Sequence, residues 1–157
     1  VKLSWNASYL DLLHDPALEA YDILRSVPPA AAAARLSKGA IIWQMLPRAM
    51  RQGQLFVTDL ATTPQYWEFV DTLAAVHYLS GYSYLVPTEG DSTLNGNPTT
   101  AFMVVARNSN RTQYWLSQPK SGYSVDNLAP GAPAAFGGKY AAGTAHLHWH
   151  RNHETDH

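Results

Sequence analysis

Imidazole side chains are concentrated in the segment AHLHWHRNHETDH, residues 145–157, which holds five of the seven histidines. Its first part alternates polar and apolar residues, which predicts a β-strand with imidazoles on one face and Leu147 and Trp149 on the other. The imidazoles on that face are those of His146, His148 and His150. Two or three imidazoles with the carboxylate of Glu154 suit copper, iron, manganese, nickel or zinc. The segment therefore predicts a divalent transition-metal site.

A histidine-rich stretch can also be a solvated tail that binds nickel without any function. The apolar side chains of Leu147 and Trp149 favour an ordered strand, because a solvated tail gains nothing from burying them. Both interpretations stay open at this point, with functional metal binding preferred.

The spacing of the segment resembles the first metal-binding motif of the cupin superfamily. Gly143 is followed after four intervening residues by His148-Trp149-His150, and Glu154 follows after three more intervening residues. The stretches YSYLVPTEGD and TTAFMVVA also resemble the paired strands that precede this motif in fungal-type quercetin (flavonol) dioxygenases. The resemblance covers residues 82–157 and says nothing about the first eighty residues.

The resemblance implies that His148 and His150 bind the metal and that Glu154 both binds it and accepts a substrate proton. His146 is a further candidate, since the pair His146 and His148 gives an alternative register. The second metal-binding motif of the family is absent from this sequence. The resemblance therefore implies a partial β-barrel that a second polypeptide would complete.

The function predicted first is a metal-dependent cupin-type oxidoreductase, in the form of a flavonol-type dioxygenase. Its substrate would be a small aromatic molecule, held by Trp115 and Trp149 as walls of an aromatic pocket. A non-enzymatic cupin-like ligand-binding module is one alternative. A toxin-type metal-dependent hydrolase or nuclease with a C-terminal histidine site is the other.

Composition narrows the class of protein. The 157 residues fit one domain, 46% of them are hydrophobic, and the formal net charge is −1. With no basic stripe we expect no nucleic-acid partner, and with no long apolar run we expect no membrane span. The absence of cysteine rules out disulfides and thiolate ligands. Two sequons, at Asn6 and Asn110, favour a secreted glycoprotein, while a cytoplasmic location stays open.

Helical signals dominate residues 1–81. Apolar residues recur at Leu18, Tyr21 and Leu24, and an alanine run follows Pro28-Pro29. Thr63 and Pro64 look like the start of a second long helix. Its apolar face would hold Trp67, Val70, Leu73, Ala74 and His77.

Residues 82–157 change in character, with short β-branched and aromatic stretches between turn residues. Strands are predicted around residues 82–88, 99–107, 112–118 and 145–150, and residues 129–143 are predicted to form a long loop. The predicted fold is therefore α+β, a helical N-terminal segment followed by a β-rich segment that forms part of a cupin-like barrel or sandwich. The predicted boundary lies near Gly81.

Two further groups of titratable residues received structural interpretations. Asp11, His14 and Asp15 are close in sequence, and Asp15 before Pro16 is a natural helix cap. His77 is predicted to lie on the apolar face of the second long helix, as a core histidine that could supply a missing metal ligand if that helix packs near the histidine strand.

Overall fold

The computed structural model of the chain describes residues 1–12, 18–58, 63–90, 96–110, 112–124 and 134–150. Of these residues, 53% lie in strands and 9% in helices. The predicted α+β class with a helical first half is therefore wrong, and the described chain is mostly β.

The described residues form eleven strands and two helices. The strands are β1 (Lys2–Asn6), β2 (Leu18–Val27), β3 (Ile42–Trp43), β4 (Leu55–Thr58), β5 (Gln65–Ala74), β6 (Gly81–Leu85), β7 (Thr100–Asn108), β8 (Tyr114–Leu116), β9 (Lys120–Gly122), β10 (Ala134–Ala141) and β11 (Thr144–His150). The helices are α1 (Tyr9–Leu12) and α2 (Pro29–Leu36).

The largest sheet has seven strands in the order β3-β4-β5-β2-β7-β8, with β9 also pairing with β7. Its central strand, β2, is antiparallel to both β5 and β7. Two smaller sheets each hold two antiparallel strands, β1 with β6 and β10 with β11. The seven-stranded sheet and the β1–β6 sheet therefore each combine strands from both sides of the predicted boundary near Gly81.

Both faces of the central strand are buried, which explains why its sequence gives no clean alternation. On one face Leu24 packs with Trp67, Met103 and Val105 under Leu46 and Met50 of the β3–β4 connection. On the other face Ile23 and Phe102 pack under the β1–β6 ribbon, through Leu3, Trp5, Tyr84 and Val86. A strand covered in this way carries apolar residues on both faces, so some of them fall at helical spacing, as Leu18, Tyr21 and Leu24 do.

A β-bulge accounts for the second wrong helix, which is in fact β5. Ile23 pairs with Asp71 and Leu24 pairs with Phe69, so Val70 is an extra residue in β5. Before the bulge Trp67 packs on one face of the sheet, and after it Leu73 packs on the other. This shift in alternation produces apolar residues three apart, which imitates a helix.

The alanine run does form a helix, α2, with Pro29 at its first turn. Gly39 follows its end with a φ of +88°, as a C-terminal glycine should. The predicted loop over residues 129–143 is partly wrong, because Ala134–Ala141 is strand β10. Residues 129–133 and the proposed Asp15-Pro16 cap lie outside the described residues.

Candidate functional site

The histidine segment forms a strand, β11, as its alternation predicted. Its partner β10 is antiparallel and regular from the Ala141–Thr144 pair to the Gly137–His148 pair. The two strands are joined by Ala142 and Gly143, whose φ angles are +50° and +79°. Two positive φ angles in a two-residue loop match the right-handed twist of a hairpin, so Gly143 of the cupin-like spacing serves this turn.

The residues across from the imidazoles differ in size and charge. His148 faces Gly137, His146 faces Lys139, and His150 faces Ala134. A Cβ added to Gly137 would lie 2.8 Å from His148 Nε2. The imidazole of His148 therefore rests on a backbone that carries no side chain, on a solvent-exposed surface.

The opposite face of the ribbon is apolar. Leu147 and Trp149 of β11 share it with Phe136 and Tyr140 of β10, as the register requires. The rings of Trp149 and Phe136 stack with centroids 6.5 Å apart. All four side chains are at least half exposed, so the ribbon presents one imidazole face and one uncovered apolar face.

The remaining predicted site residues are placed as follows. Trp149 points away from the imidazoles, on the other side of β11. Trp115 lies on β8 of the seven-stranded sheet and is 44% exposed. Glu154 lies outside the described residues. Within the described ranges, no three His, Asp or Glu side chains are arranged to hold one metal ion.

A second cluster of titratable groups lies beneath the β1–β6 ribbon. Asp11, at the end of α1, is fully buried, and its Oδ2 accepts hydrogen bonds from the Tyr21 hydroxyl at 2.9 Å and the Tyr82 hydroxyl at 2.5 Å. Its Oδ1 lies 3.3 Å from Nδ1 of His77. Buried carboxylates require such partners, because desolvation of the charge is otherwise costly. Asp11 therefore ties α1 to β2 and β6.

Aromatic packing encloses this carboxylate. Trp5 stacks on Tyr82 with ring planes 18° apart, and Tyr21 lies 4.8 Å from Tyr82 between centroids. Burial, together with the hydrogen bond and charge of Asp11, raises the pKa of Tyr82 above its usual value. Burial is also the main reason that the pKa of Tyr21 is raised, with Asp11 adding to the effect. Both hydroxyls are thus held as donors.

His77 is not on a helix face, contrary to the sequence-based interpretation. It lies in the β5–β6 connection, where His77 and Tyr78 have φ angles of +34° and +62°. Consecutive left-handed residues without glycine are uncommon and cost conformational energy. This backbone places the imidazole against Asp11. The signal in the sequence was the aspartate inside the apolar stretch YLDLL, but its partners lie 10, 66 and 71 positions away.

A buried ion pair lies on the opposite face of the seven-stranded sheet. Arg107 of β7 donates through Nε to Asp22 of β2, and both side chains are nearly inaccessible to solvent. Nη1 of Arg107 donates to the Pro47 carbonyl at 2.9 Å, and Thr72 donates to Asp22 at 2.7 Å. The bulge at Val70 is what turns Thr72 toward Asp22. The pair cross-links the sheet and its covering loop.

A partly buried charge network closes the α2 end of the sheet. Glu68 accepts from Arg25 at 2.7 Å and from Arg35 of α2 at 3.0 Å, and Glu89 lies near both guanidinium groups. Burial raises the pKa of Glu68, but the hydrogen bonds and charges of the two arginines outweigh it, and the net result is a lowered pKa. This network has a structural role.

Comparison with known proteins adds no assignment, since no family model, curated protein or solved structure matches this chain. In the described part of the chain, no helix is long and apolar enough to cross a membrane. Both sequon asparagines are exposed, Asn6 at the end of β1 and Asn110 in the turn after β7. The amide oxygen of Asn110 accepts from the Thr112 hydroxyl at 2.5 Å.

Proposed function

We propose that this chain is a metal-dependent oxidoreductase of cupin type, with His148 and His150 as ligands of a divalent transition-metal ion and Glu154 as the third ligand. The observation that carries the proposal is that β11 is a strand, so its imidazoles share one exposed face. Same-face neighbours on a strand are about 6.5–7 Å apart at Cα, and two imidazoles that lean together can reach one ion. The donor set of nitrogen and carboxylate oxygen suits such ions.

The residues of β10 favour one pair of histidines over the other. His146 faces the ammonium group of Lys139, and a nearby positive charge opposes a bound cation. His148 faces Gly137 and His150 faces Ala134, which bring neither charge nor bulk. The proposal therefore takes His148 and His150 as ligands and leaves His146 outside the set.

A bound ion would supply Lewis acidity and open coordination positions for a substrate oxygen or for O2. Imidazole binds a metal ion in its neutral form, so metal affinity should fall as the solution is made acidic. Glu154 takes the role of accepting the proton of a substrate hydroxyl, as the cupin-like spacing implies. In the proposed reaction both atoms of O2 enter the products of a hydroxylated aromatic substrate. The substrate supplies the electrons, and no external reductant is needed.

The uncovered apolar face of the ribbon supports a second part of the proposal. Two-stranded hairpins are marginal alone in water, and Phe136, Tyr140, Leu147 and Trp149 all face solvent. We propose that a second polypeptide covers this face. A photo-crosslinking residue in place of Tyr140, on the apolar face, should crosslink to a second polypeptide, whereas one in place of Lys139, on the imidazole face, should not; equal crosslinking from both positions would contradict this part.

The metal site is tested by titrating the full chain with Co²⁺ and recording its visible absorption. We expect one site, and each of the His148→Ala and His150→Ala variants should bind more than about a hundredfold more weakly, since even outer partners of metal ligands contribute 10–100-fold. His146→Ala is the matched control and should bind as the wild type does. Equal losses in all three variants would indicate a nonspecific histidine patch and refute the assignment.

Two neighbouring glycines provide a second test that leaves every ligand in place. A methyl group on Gly137 would meet His148 Nε2 at 2.8 Å, whereas one on Gly138 would meet Leu147 on the apolar face at 2.9 Å. Gly137→Ala should therefore displace the imidazole of His148 and weaken Co²⁺ binding. Gly138→Ala should leave Co²⁺ binding unchanged, and the reverse order of effects would show that the imidazole face is not the site.

The oxidoreductase activity is tested by oxygen uptake of the metal-loaded chain with a flavonol. Glu154→Gln should bind the metal more weakly, and at metal concentrations that saturate this variant it should show no oxygen uptake. Tight metal binding without oxygen uptake would reject the dioxygenase and leave a non-enzymatic ligand-binding module.

Secretion and glycosylation belong to the same proposal and rest on the exposed Asn6 and Asn110. Expression through a eukaryotic secretory pathway should give a mass decrease on treatment with an N-glycosidase. Asn6→Gln and Asn110→Gln should each reduce that decrease.

A further inference from the structure

A pocket of about 490 Å³ lies at the end of the seven-stranded sheet next to α2. Its inner surface includes Ser26 and Val27 from β2, Tyr66 and Trp67 from β5, and Ala101 from β7. Val27 and Trp67 are buried, so they form its base. Pockets of this size hold small organic molecules in many proteins. It shares no residue with the histidine face of β11.

The rim of the pocket is stiff. Pro28 and Pro29 precede and begin α2, Pro64 precedes β5, and Pro119 precedes β9. Proline has a fixed φ, so these walls lose little entropy when a ligand binds. The proline rings and the Tyr66 ring present broad apolar faces, which suit a planar aromatic molecule better than a branched aliphatic one.

None of the described residues that line the pocket is charged at neutral pH. A charged ligand group buried here would lose its hydration without gaining a partner of opposite charge. The ligand that fits is therefore uncharged.

The polar groups of the pocket further define the ligand. Ser26 Oγ accepts from the Ala101 amide at 3.0 Å, which leaves its own O–H free to donate. The Trp67 indole N–H is already used by Thr58 Oγ1 at 3.0 Å. Within the described part of the chain, the Tyr66 hydroxyl has no hydrogen-bond partner. Thr63 and Gln65 add a further hydroxyl and an amide to the lining, so the pocket offers neutral polar groups to an oxygen on the ligand.

We propose that this pocket binds a small uncharged aromatic molecule that carries a hydroxyl or carbonyl oxygen. This site is independent of the metal site, and it holds whether or not β11 binds metal. Proline-rich peptides also bind surfaces rich in aromatic residues, but they need exposed aromatic faces, and Trp67 is only 2% exposed.

The test uses 2-naphthol as the probe and 2-naphthoate as its charged counterpart with the same rings. Each is titrated into the ¹⁵N-labelled full chain, and amide shifts are followed by NMR. We expect 2-naphthol to shift the amides of Val27, Tyr66 and Ala101, and 2-naphthoate to bind at least about tenfold more weakly because its charge is unpaired. Equal binding of the two probes, or shifts centred on Trp115 or Phe136, would overturn the proposal.

Variants locate the ligand within the pocket. Ala101→Phe fills the pocket and should abolish binding of 2-naphthol, whereas Ala34→Phe on the exposed side of α2 should not. Tyr66→Phe removes one hydroxyl and should weaken binding about two- to tenfold, the range of one net hydrogen bond. Tyr66→Phe keeps the aromatic ring, so this variant still tests the proposal if Ala101→Phe unfolds the chain. Full binding in Tyr66→Phe and Ala101→Phe, or stronger shifts of the same amides by a polyproline peptide, would refute the assignment.

Discussion

Removal of the Tyr82 hydroxyl should destabilise the chain far more than removal of a comparable hydroxyl on the same strand. In Tyr82→Phe the fully buried Asp11 loses a donor that lies 2.5 Å from its Oδ2, although the Tyr21 hydroxyl remains. The Val76 amide also loses its acceptor, but Val76 is well exposed and water can replace it.

The expected size follows from burial and charge. Hydrogen bonds to charged groups contribute about 1.5–3 kcal/mol, and here the carboxylate left behind has no access to solvent. We therefore expect a loss of about 2–3 kcal/mol. For a domain of this size that corresponds to roughly 4–12 °C in Tm.

Tyr84→Phe is the matched control. Tyr84 lies two residues further along β6 and donates to Asp71, but that carboxylate faces solvent. Its loss should cost less than about 1 kcal/mol, since water can hydrate the freed oxygen.

The assay is urea unfolding at pH 7, followed by circular dichroism, with the slope of the transition unchanged between variants. Equal destabilisation by Tyr82→Phe and Tyr84→Phe would refute the reasoning, because burial of Asp11 would then have no energetic effect. Tyr21→Phe provides a check in the same cluster and should resemble Tyr82→Phe.

Three further predictions concern pH and charge. The raised pKa values of Tyr21 and Tyr82 should leave the free energy of unfolding unaffected below about pH 10. Above that pH the unfolded chain releases the two protons first, so the free energy of unfolding should fall by up to about 1.4 kcal/mol per pH unit for each tyrosine. Urea midpoints measured from pH 9 to 12 test this, and midpoints that do not change with pH would contradict it. The lowered pKa of Glu68 contributes stability above about pH 4.3 that is lost as the pH falls through its folded value. Arg35→Gln should thus cost about 0.5–1 kcal/mol at pH 7 and nothing near pH 2, and a constant difference would disprove the linkage. Arg107→Met leaves the buried carboxylate of Asp22 without a counter-charge, and the free energy of unfolding measured in urea should fall by about 3–5 kcal/mol. A decrease of less than about 1 kcal/mol would mean that water reaches the pair.

The strands that the sequence predicted correctly are those with one exposed face or clear turn residues. β11 alternates His146, Leu147, His148 and Trp149, and its two faces indeed differ. The stretch TTAFMVVAR, residues 99–107, covers all of β7 except Asn108, and β-branched and aromatic residues are dense in it. In these segments local pattern and tertiary environment agree.

The errors arose where tertiary structure changes the pattern. In β2 both faces are covered, so the spacing of Leu18, Tyr21 and Leu24 carried no information about period. In β5 the bulge at Val70 shifts the alternation by one residue, and a single sequence gives no sign of where a partner strand will pair. Thr63 and Pro64 satisfied the rules for a helix start but precede a strand instead.

The candidate site residues also divide into those that local pattern predicts and those that tertiary structure brings together. The shared face of His146, His148 and His150 followed from strand geometry alone. The Asp11 cluster could not be assembled from the sequence, because Tyr82 is 71 positions distant and His77 reaches it through a left-handed backbone. Long-range juxtaposition of this kind depends on topology rather than on local pattern.

The central position of β2 has a consequence for synthesis of the chain. Leu24 pairs with Met103, so about 80 residues separate the two partners. At a translation rate of about 5–20 residues per second, β2 waits roughly 4–16 s on the ribosome with that edge unpaired. It carries the adjacent apolar residues Ile23 and Leu24 during this interval, so β2 is a segment of the nascent chain that chaperone binding would protect.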